Sequence, residues 1–276
     1  DKKSAKTFLS PWHGFEHVRE VVSEHYGQYA IAASDFTSTD ANFTLAASLE
    51  VCDVLEQCFQ PRYRAKLRES ITHMHNIPLV ISPDSKLVGE HGVASGSNWT
   101  NFIETIFDMI FSEYVKMRQR GEYYRFMDKG VPHYSGLYAI GDDMTWYVER
   151  RHYEANFSQR LEEFGKEAGQ IIKAEKTTNN LDNVISLQRL FQRGYLRDNG
   201  ELRAVYPTIR ALKSLVYPER MHKKKLWSND MSAVRTFMIL ENCVDHPLFF
   251  EFCDFVSKGD PYLKEFASKT KGYQDT

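Results

Sequence analysis

GLYAIGDDMTWYVE, residues Gly136 to Glu149, sets two short runs of aromatic and aliphatic residues on either side of Gly141-Asp142-Asp143. Such runs flanking a Gly-Asp turn spell a β-hairpin, with two carboxylates at the tip where the sheet meets water. Toward the N-terminus, QYAIAASDF (Gln28 to Phe36) is an apolar run of small residues closing on an acid. It predicts a buried strand with Asp35 at its C-terminal end. If the strands are neighbours in one sheet, Asp35, Asp142 and Asp143 meet at one edge. Carboxylates so close raise one another's pKa unless a cation offsets them. Mg²⁺ (or Mn²⁺) suits such ligands, because it takes a few carboxylates together with substrate phosphates. Two ions roughly 3.5 to 4 Å apart can stabilise the attacking and leaving oxygens of an in-line phosphoryl displacement.

Asp40 and Asn42 are good caps for a helix from about Thr44 to Phe59, with Leu45, Leu49, Cys52, Leu55 and Phe59 as its buried stripe. From Pro61 to Gly92 a basic helical stretch precedes IPLVISPDSKLVGEHG, a hairpin turning at Pro83-Asp84-Ser85. The small-residue turn Ser95-Gly96-Ser97 leads into a second helix, about Trp99 to Gln119, with Phe102, Ile106, Met109, Ile110 and Tyr114 on its buried side. A third, about His152 to Ala168, leads to GQIIKAEK. LQRLFQRGYLRDNGELRAVY then reads as a hairpin turning at Asn199-Gly200. After Tyr206 the chain turns helical, Pro207 opening the first of those helices.

With 276 residues, 42% of them hydrophobic, the chain is long enough for one or two domains with a full core. Its net charge of −2 argues against a module that grips nucleic acid by bulk positive charge. Local basic patches remain: Lys116, Arg118, Arg120 and Arg125; Arg150 and Arg151; and Arg220, Lys223, Lys224 and Lys225. Cys52, Cys58, Cys243 and Cys253 are spaced too widely for a metal knuckle and are expected as buried free thiols. No run of eighteen apolar residues and no signal-peptide layout occurs, so an intracellular site is expected. His73 and His75 read as surface histidines. Trp99, Trp146, Tyr147, Phe249, Phe250, Phe252 and Phe255 read as core.

In chain order, DFTSTD (Asp35 to Asp40), SGSNWTNFIE (Ser95 to Glu104) and AIGDD (Ala139 to Asp143) resemble the palm motifs of viral RNA-dependent RNA polymerases. The picobirnavirus and partitivirus type is the nearest. The resemblance implies an α+β fold: a right-hand polymerase palm, a small antiparallel sheet packed on helices, with part of the fingers and a helical thumb region. Residues 1–28 would end the fingers, 29–200 form the palm with a fingers insertion at about 61–92, and 201–276 form the mostly helical thumb region. The implied activity is RNA-directed RNA polymerisation by two-metal nucleotidyl transfer, in replication and transcription of a viral RNA genome.

In that family's terms Asp35, Asp142 and Asp143 are catalytic metal ligands, Asp142 the main one and Asp143 the accessory. Asp40 reads the ribose hydroxyls, the Ser95-Gly96 loop repositions template and incoming nucleotide, and Thr100 opens the helix beneath the nucleotide. Many relatives carry Asn where this chain has Glu104; Asn101 or Asn98 would then orient Asp40. GQIIKAEKTT resembles the motif whose lysine protonates pyrophosphate, here Lys176, with Lys173 as the alternative. LQRLFQRGY (Leu187 to Tyr195) resembles the primer-grip hairpin and VYPTIRALKSLVYPER (Val205 to Arg220) the opening of the thumb. Expected partners are an RNA template, a primer or nascent strand, ribonucleoside triphosphates and a viral capsid protein, with no membrane, in the virion or host cytoplasm. Some thirty residues precede the first motif and hold no basic fingers motif, so the chain reads as a fragment of a longer polymerase. The alternatives are a catalytically incomplete piece that binds RNA or a capsid partner, and a reverse transcriptase. Asp40 speaks against the latter, because a small acid can hydrogen-bond a 2′-hydroxyl.

Overall fold

The computed structural model describes residues 6–123, 133–218, 223 and 227–269. Two compact units divide the chain, Asp1–Ser186 and Leu187–Thr276. The strands of the first unit are β1 (Tyr29–Asp35), β2 (Leu79–Ser82), β3 (Ser85–Leu87), β4 (Ser135–Ile140), β5 (Asp143–Glu149), β6 (Thr178–Asn180) and β7 (Asn183–Ser186). Its helices are α1 (Phe15–Tyr26), α2 (Leu45–Leu55), α3 (Pro61–Met74), α4 (Thr100–Tyr123) and α5 (Phe157–Glu167). The second unit holds β8 (Arg189–Leu196), β9 (Leu202–Val205), α6 (Thr208–Val216), α7 (Asn229–Asn242), α8 (Phe249–Gly259) and α9 (Tyr262–Lys269). None of the described helices is long and apolar enough to cross a membrane.

The main sheet runs in the order β4-β5-β1-β6. β1 is a central strand, which is why its small residues Ala30 through Ser34 are buried without alternation. It lies antiparallel to β5, Asp35 opposite Asp143, and antiparallel to β6. β4 and β5 form the expected hairpin, Ile140 opposite Asp143, so that Gly141 and Asp142 are the turn. Gly141 has φ +59°, the left-handed region that glycine enters at little cost.

The core of this unit is aromatic. Phe43 meets Phe107 edge-on at 5.1 Å, Phe36 meets Phe107 at 6.0 Å, and Phe111 meets Trp146 at 6.0 Å. Edge-to-face contact puts the positive ring rim on the negative face of its neighbour, worth about 0.5–1.5 kcal/mol per pair beyond burial. Trp146 is fully buried, and its indole N–H donates to Ser34 Oγ at 2.9 Å. That bond satisfies a buried donor and ties β5 to β1, the two strands carrying the acids.

In the second unit, β8 and β9 close at Asn199-Gly200, as expected, with Gly200 at φ +85°. The buried Asp245 accepts from Arg197 Nε (2.6 Å), Arg197 Nη2 (2.9 Å) and the Ala204 N–H (3.1 Å).

Several sequence expectations shift. The cap of α2 is Thr44, whose hydroxyl accepts from the Ala47 N–H at 3.3 Å; Asp40 and Asn42 belong to a separate helical turn, Thr39–Asn42. The buried face of α2 is Ser48, Val51, Cys52 and Leu55, and Phe59, beyond its end, is 40% exposed. The third helix begins only at Phe157, after a 3-10 turn over Arg150–His152. Pro207 stands at the cap of α6 rather than inside its first turn. Cys52 and Cys243 are buried, but Cys58 is exposed. His75 is buried, its Nδ1 at 2.8 Å from the His91 carbonyl and its Nε2 at 2.7 Å from Ser48 Oγ; sharing both nitrogens is what makes its burial tolerable. Phe250 and Phe255 are exposed, not core. Of the basic patches, Arg125, Arg220, Lys224 and Lys225 lie outside the described residues.

Candidate active site

The end of β1 and the start of β5 put Asp35 and Asp143 directly opposite one another, where Cβ atoms of an antiparallel pair stand about 4.5–5.5 Å apart. Asp142 projects from the adjoining turn, and its Oδ2 accepts from the buried Thr39 hydroxyl at 3.1 Å. Thr39 opens the helical turn just after β1, so one bond links the first motif to the third. A second bond links the first motif to the second: Asp40 Oδ2 accepts from Ser95 Oγ at 2.7 Å. The loop carrying Ser95 and Gly96 approaches this turn so closely that a Cβ on Gly92 would lie 1.8 Å from the Asp40 carbonyl oxygen. Thr100, buried at the start of α4, donates to the Ala94 carbonyl at 2.6 Å and closes the other end of the loop.

α4 is bonded to the hairpin turn from below. Thr105 Oγ1 donates to the Asn101 carbonyl at 2.7 Å and accepts the Gly141 N–H at 2.9 Å. A cleft of about 370 Å³ results, lined by Asp40, Ser95, Asn101, Glu104, Asp142 and Asp143 among others. Asp35 stands on the sheet edge outside that lining. Lys176 lies in a 3-10 turn, Ala174–Lys176, after a bridge of Ile172 to Phe36. Its ammonium acts on Asp35, whereas Lys173 acts on Glu162. Among the described residues, no group of three or more His, Cys, Asp or Glu side chains is drawn together tightly enough to hold an ion. The three aspartates share a sheet edge without converging on one point.

The architecture has solved counterparts. A crystal structure of the human picobirnavirus RNA-dependent RNA polymerase with its insertion loop deleted matches 99% of this chain and 51% of its own, with a TM-score of 0.79 and 22% identity. A second crystal structure of the human picobirnavirus RNA-dependent RNA polymerase matches 93% of this chain and 47% of its own, with a TM-score of 0.76 and 23% identity. The chain shares their polymerase fold. A potential RNA-dependent RNA polymerase of human picobirnavirus is 26% identical over 249 residues, which are 83% of this chain and 40% of that protein. No protein-family model matches the chain. The chain thus spans about half the length, or less, of the relatives it matches.

Within this polymerase fold the acids are short of counter-charge. Burial, then Asp142 and Asp35, push the Asp143 carboxyl up to about 7. Burial and then Asp142 raise Asp35, and Lys176 opposes them. Glu104 is pushed up to about 8 by burial, Asp142 and Asp40. Because folded Glu104 holds its proton more tightly than the unfolded chain does, its contribution to stability is complete below its ordinary value and lost as pH rises through about 8. The metal-free protein is therefore expected to lose thermal stability from about pH 5 to pH 8, and Glu104→Gln to flatten that slope. Calorimetric scans across this range check it, and parallel profiles for the two proteins would refute it.

Thr39 and Thr105 were not legible as site residues, and Glu104 only as a departure from a motif. The expected stripe on α4 placed Ile110 inside, yet Ile110 is 36% exposed. The buried flank instead mixes Ile103, Phe107 and Phe111 with Glu104, Thr105, Asp108 and Ser112. Hydrophobic periodicity assigns polar side chains to solvent, whereas here Glu104 and Thr105 face the hairpin turn. The available signal was the spacing of Asn101, Glu104, Thr105 and Asp108, which share one side of a helix.

Proposed function

We propose that this chain is the palm and the start of the thumb of an RNA-directed RNA polymerase. Residues 1–28 end the fingers, 29–200 form the palm with a fingers insertion at about 61–92, and 201–276 form the thumb region. The observation that carries the reading is Asp35 opposite Asp143 across β1 and β5, with Asp142 in the adjoining turn. Opposed carboxylates are costly across a bare strand pair, a cost that a bound cation would relieve. Asp35, Asp142 and Asp143 would hold Mg²⁺ or Mn²⁺, which would supply the positive charge that activates a primer 3′-hydroxyl and steadies the phosphate it attacks.

The chain's own groups do the rest. Thr39 fixes the orientation of Asp142. Asp40, held by Ser95, keeps lone pairs free for the 2′-hydroxyl of a ribonucleotide, with Asn101 beside it in the cleft. Ser95 and Gly96 lie on the exposed loop over which template and nucleotide pass, and Thr100 anchors that loop to α4. Lys176, on the sheet edge by Asp35, donates a proton to the leaving pyrophosphate, a step typically worth about 10²–10⁴ in rate. The substrates are ribonucleoside triphosphates and the partners an RNA template and its primer or nascent strand.

Primer extension on an RNA template by the full-length protein containing this chain tests the reading. Ribonucleotides are expected to be incorporated in preference to deoxyribonucleotides, in Mg²⁺ or Mn²⁺. Asp40→Ala should narrow that preference roughly tenfold, the worth of one hydrogen bond to a charged group. No ribonucleotide extension in either metal, or equal use of both sugars, would overturn the proposal.

A further inference from the structure

The segment from His91 to Ser95 touches Asp40 twice. Ser95 Oγ donates to the Asp40 carboxylate at 2.7 Å. Gly92 lies so close to the Asp40 backbone that an added Cβ would stand 1.8 Å from its carbonyl oxygen and 2.9 Å from its carbonyl carbon. Backbone atoms cannot swing aside as the end of a side chain can, so the place of Gly92 sets the place of Asp40. The segment is anchored at both ends. Thr100 Oγ1 holds the Ala94 carbonyl from α4. At the other end stands His75, fully buried just after α3. Its carbonyl accepts the His91 N–H at 2.9 Å, and its ring Nδ1 stands 2.8 Å from the His91 carbonyl. A carbonyl only accepts, so Nδ1 carries the proton and Nε2 accepts from the Ser48 hydroxyl, 2.7 Å away on α2. Burial lowers the pKa of the imidazole and favours this neutral form.

We propose that His75 is a positioning residue for sugar recognition: by tying the His91 carbonyl to Ser48 of α2, it sets the course of residues 91–95 and so the place of Asp40 against an incoming ribonucleotide. The inference rests on the polymerase reading of Asp40 and extends it to a residue that lies outside all of the polymerase-like motifs. A hydrogen bond to a 2′-hydroxyl weakens as its length and angle drift from the optimum. A displaced Asp40 therefore costs a ribonucleotide part of that bond. A deoxyribonucleotide, which has no 2′-hydroxyl, loses nothing. Both contacts of the imidazole are buried, so the loss of either leaves a polar group without its partner and loosens the segment.

Primer extension by the full-length protein, with ribo- and deoxyribonucleoside triphosphates in separate reactions, tests the inference alongside melting curves. An Asn amide reaches the place of Nδ1 and a Gln amide that of Nε2. His75→Asn keeps the donor to the His91 carbonyl and is expected to retain the ribose preference. His75→Gln loses that donor and should narrow the preference about fivefold, the worth of one hydrogen bond, through a higher KM for ribonucleotides with deoxyribonucleotide kinetics unchanged. In an Asp40→Ala background the same change should narrow it no further, because no carboxylate is left to place. Ser48→Ala removes the hydroxyl alone and covers the case of a Gln variant that folds poorly; it should narrow the preference about threefold. A His75 that merely packs the core would lower the Tm and slow both sugars in proportion, leaving their ratio unchanged in both variants, and that result overturns the inference. If Asp40→Ala itself leaves the ribose preference intact, the reading of Asp40 fails and the inference with it, a distinguishable outcome.

Discussion

Asp142→Asn is expected to lower templated nucleotide incorporation by about 10³-fold or more. Removing one anionic ligand from a metal cluster forfeits several kcal/mol of charge stabilisation in the transition state, and each 1.4 kcal/mol is a decade in rate. The substitution is nearly isosteric, and the amide oxygen can still accept from Thr39, so the turn should survive. Its effect on folding runs the other way. Asp142 is a neighbour that raises Asp35, Glu104, Asp108 and Asp143. Above about pH 8, where Glu104 and Asp143 are ionised, neutralising it relieves their repulsion, and the metal-free melting temperature should rise there. Single-nucleotide incorporation in a quenched-flow experiment gives the rate and a thermal scan gives the stability. Normal incorporation by the Asn variant would remove Asp142 from the centre of the site.

Asp245→Ala carries the largest expected loss of stability. The Asp245 carboxylate closes two bonds with Arg197 and one with the Ala204 N–H. Truncation leaves the guanidinium and a buried backbone donor without that acceptor. Breaking a buried pair from one side typically costs about 3–5 kcal/mol. Hydrogen exchange at β9 in the second unit should quicken accordingly, and chemical denaturation should lose a comparable free energy. A loss under about 1 kcal/mol would show that this carboxylate does not hold the hairpin.

The hairpin, the strand bearing Asp35 and the helix after Ser95-Gly96-Ser97 were legible because local signals and tertiary demands agree there. A Gly-acid turn, a run of small buried residues and a capped helix each read the same in isolation and in the fold. The helix faces were not. α2 turns Ser48 inward to meet His75, a partner 27 residues away, and no local pattern reports that bond. α4 buries Glu104, Thr105 and Asp108 because it passes under the acidic turn, a neighbour set by long-range pairing. Of the candidate site, the residues to which the motifs assign roles could be named beforehand. Thr39 and Thr105 are defined by what faces them, which only the three-dimensional arrangement supplies.

The strand pairing behind Asp35 and Asp143 has a consequence for how variation at the sheet is tolerated. Ala32 sits opposite Trp146, and the indole reaches diagonally to Ser34, the residue before Asp35. A slip of one residue between β1 and β5 would turn every side chain on the moved strand to the other face of the sheet, carrying Asp35 away from Asp143 and burying it. Trp146 and Ser34 therefore work as a ruler for the pairing of Asp35 with Asp143 at the end of the two strands. An insertion or deletion within β1 or β5 should separate Asp35 from Asp143.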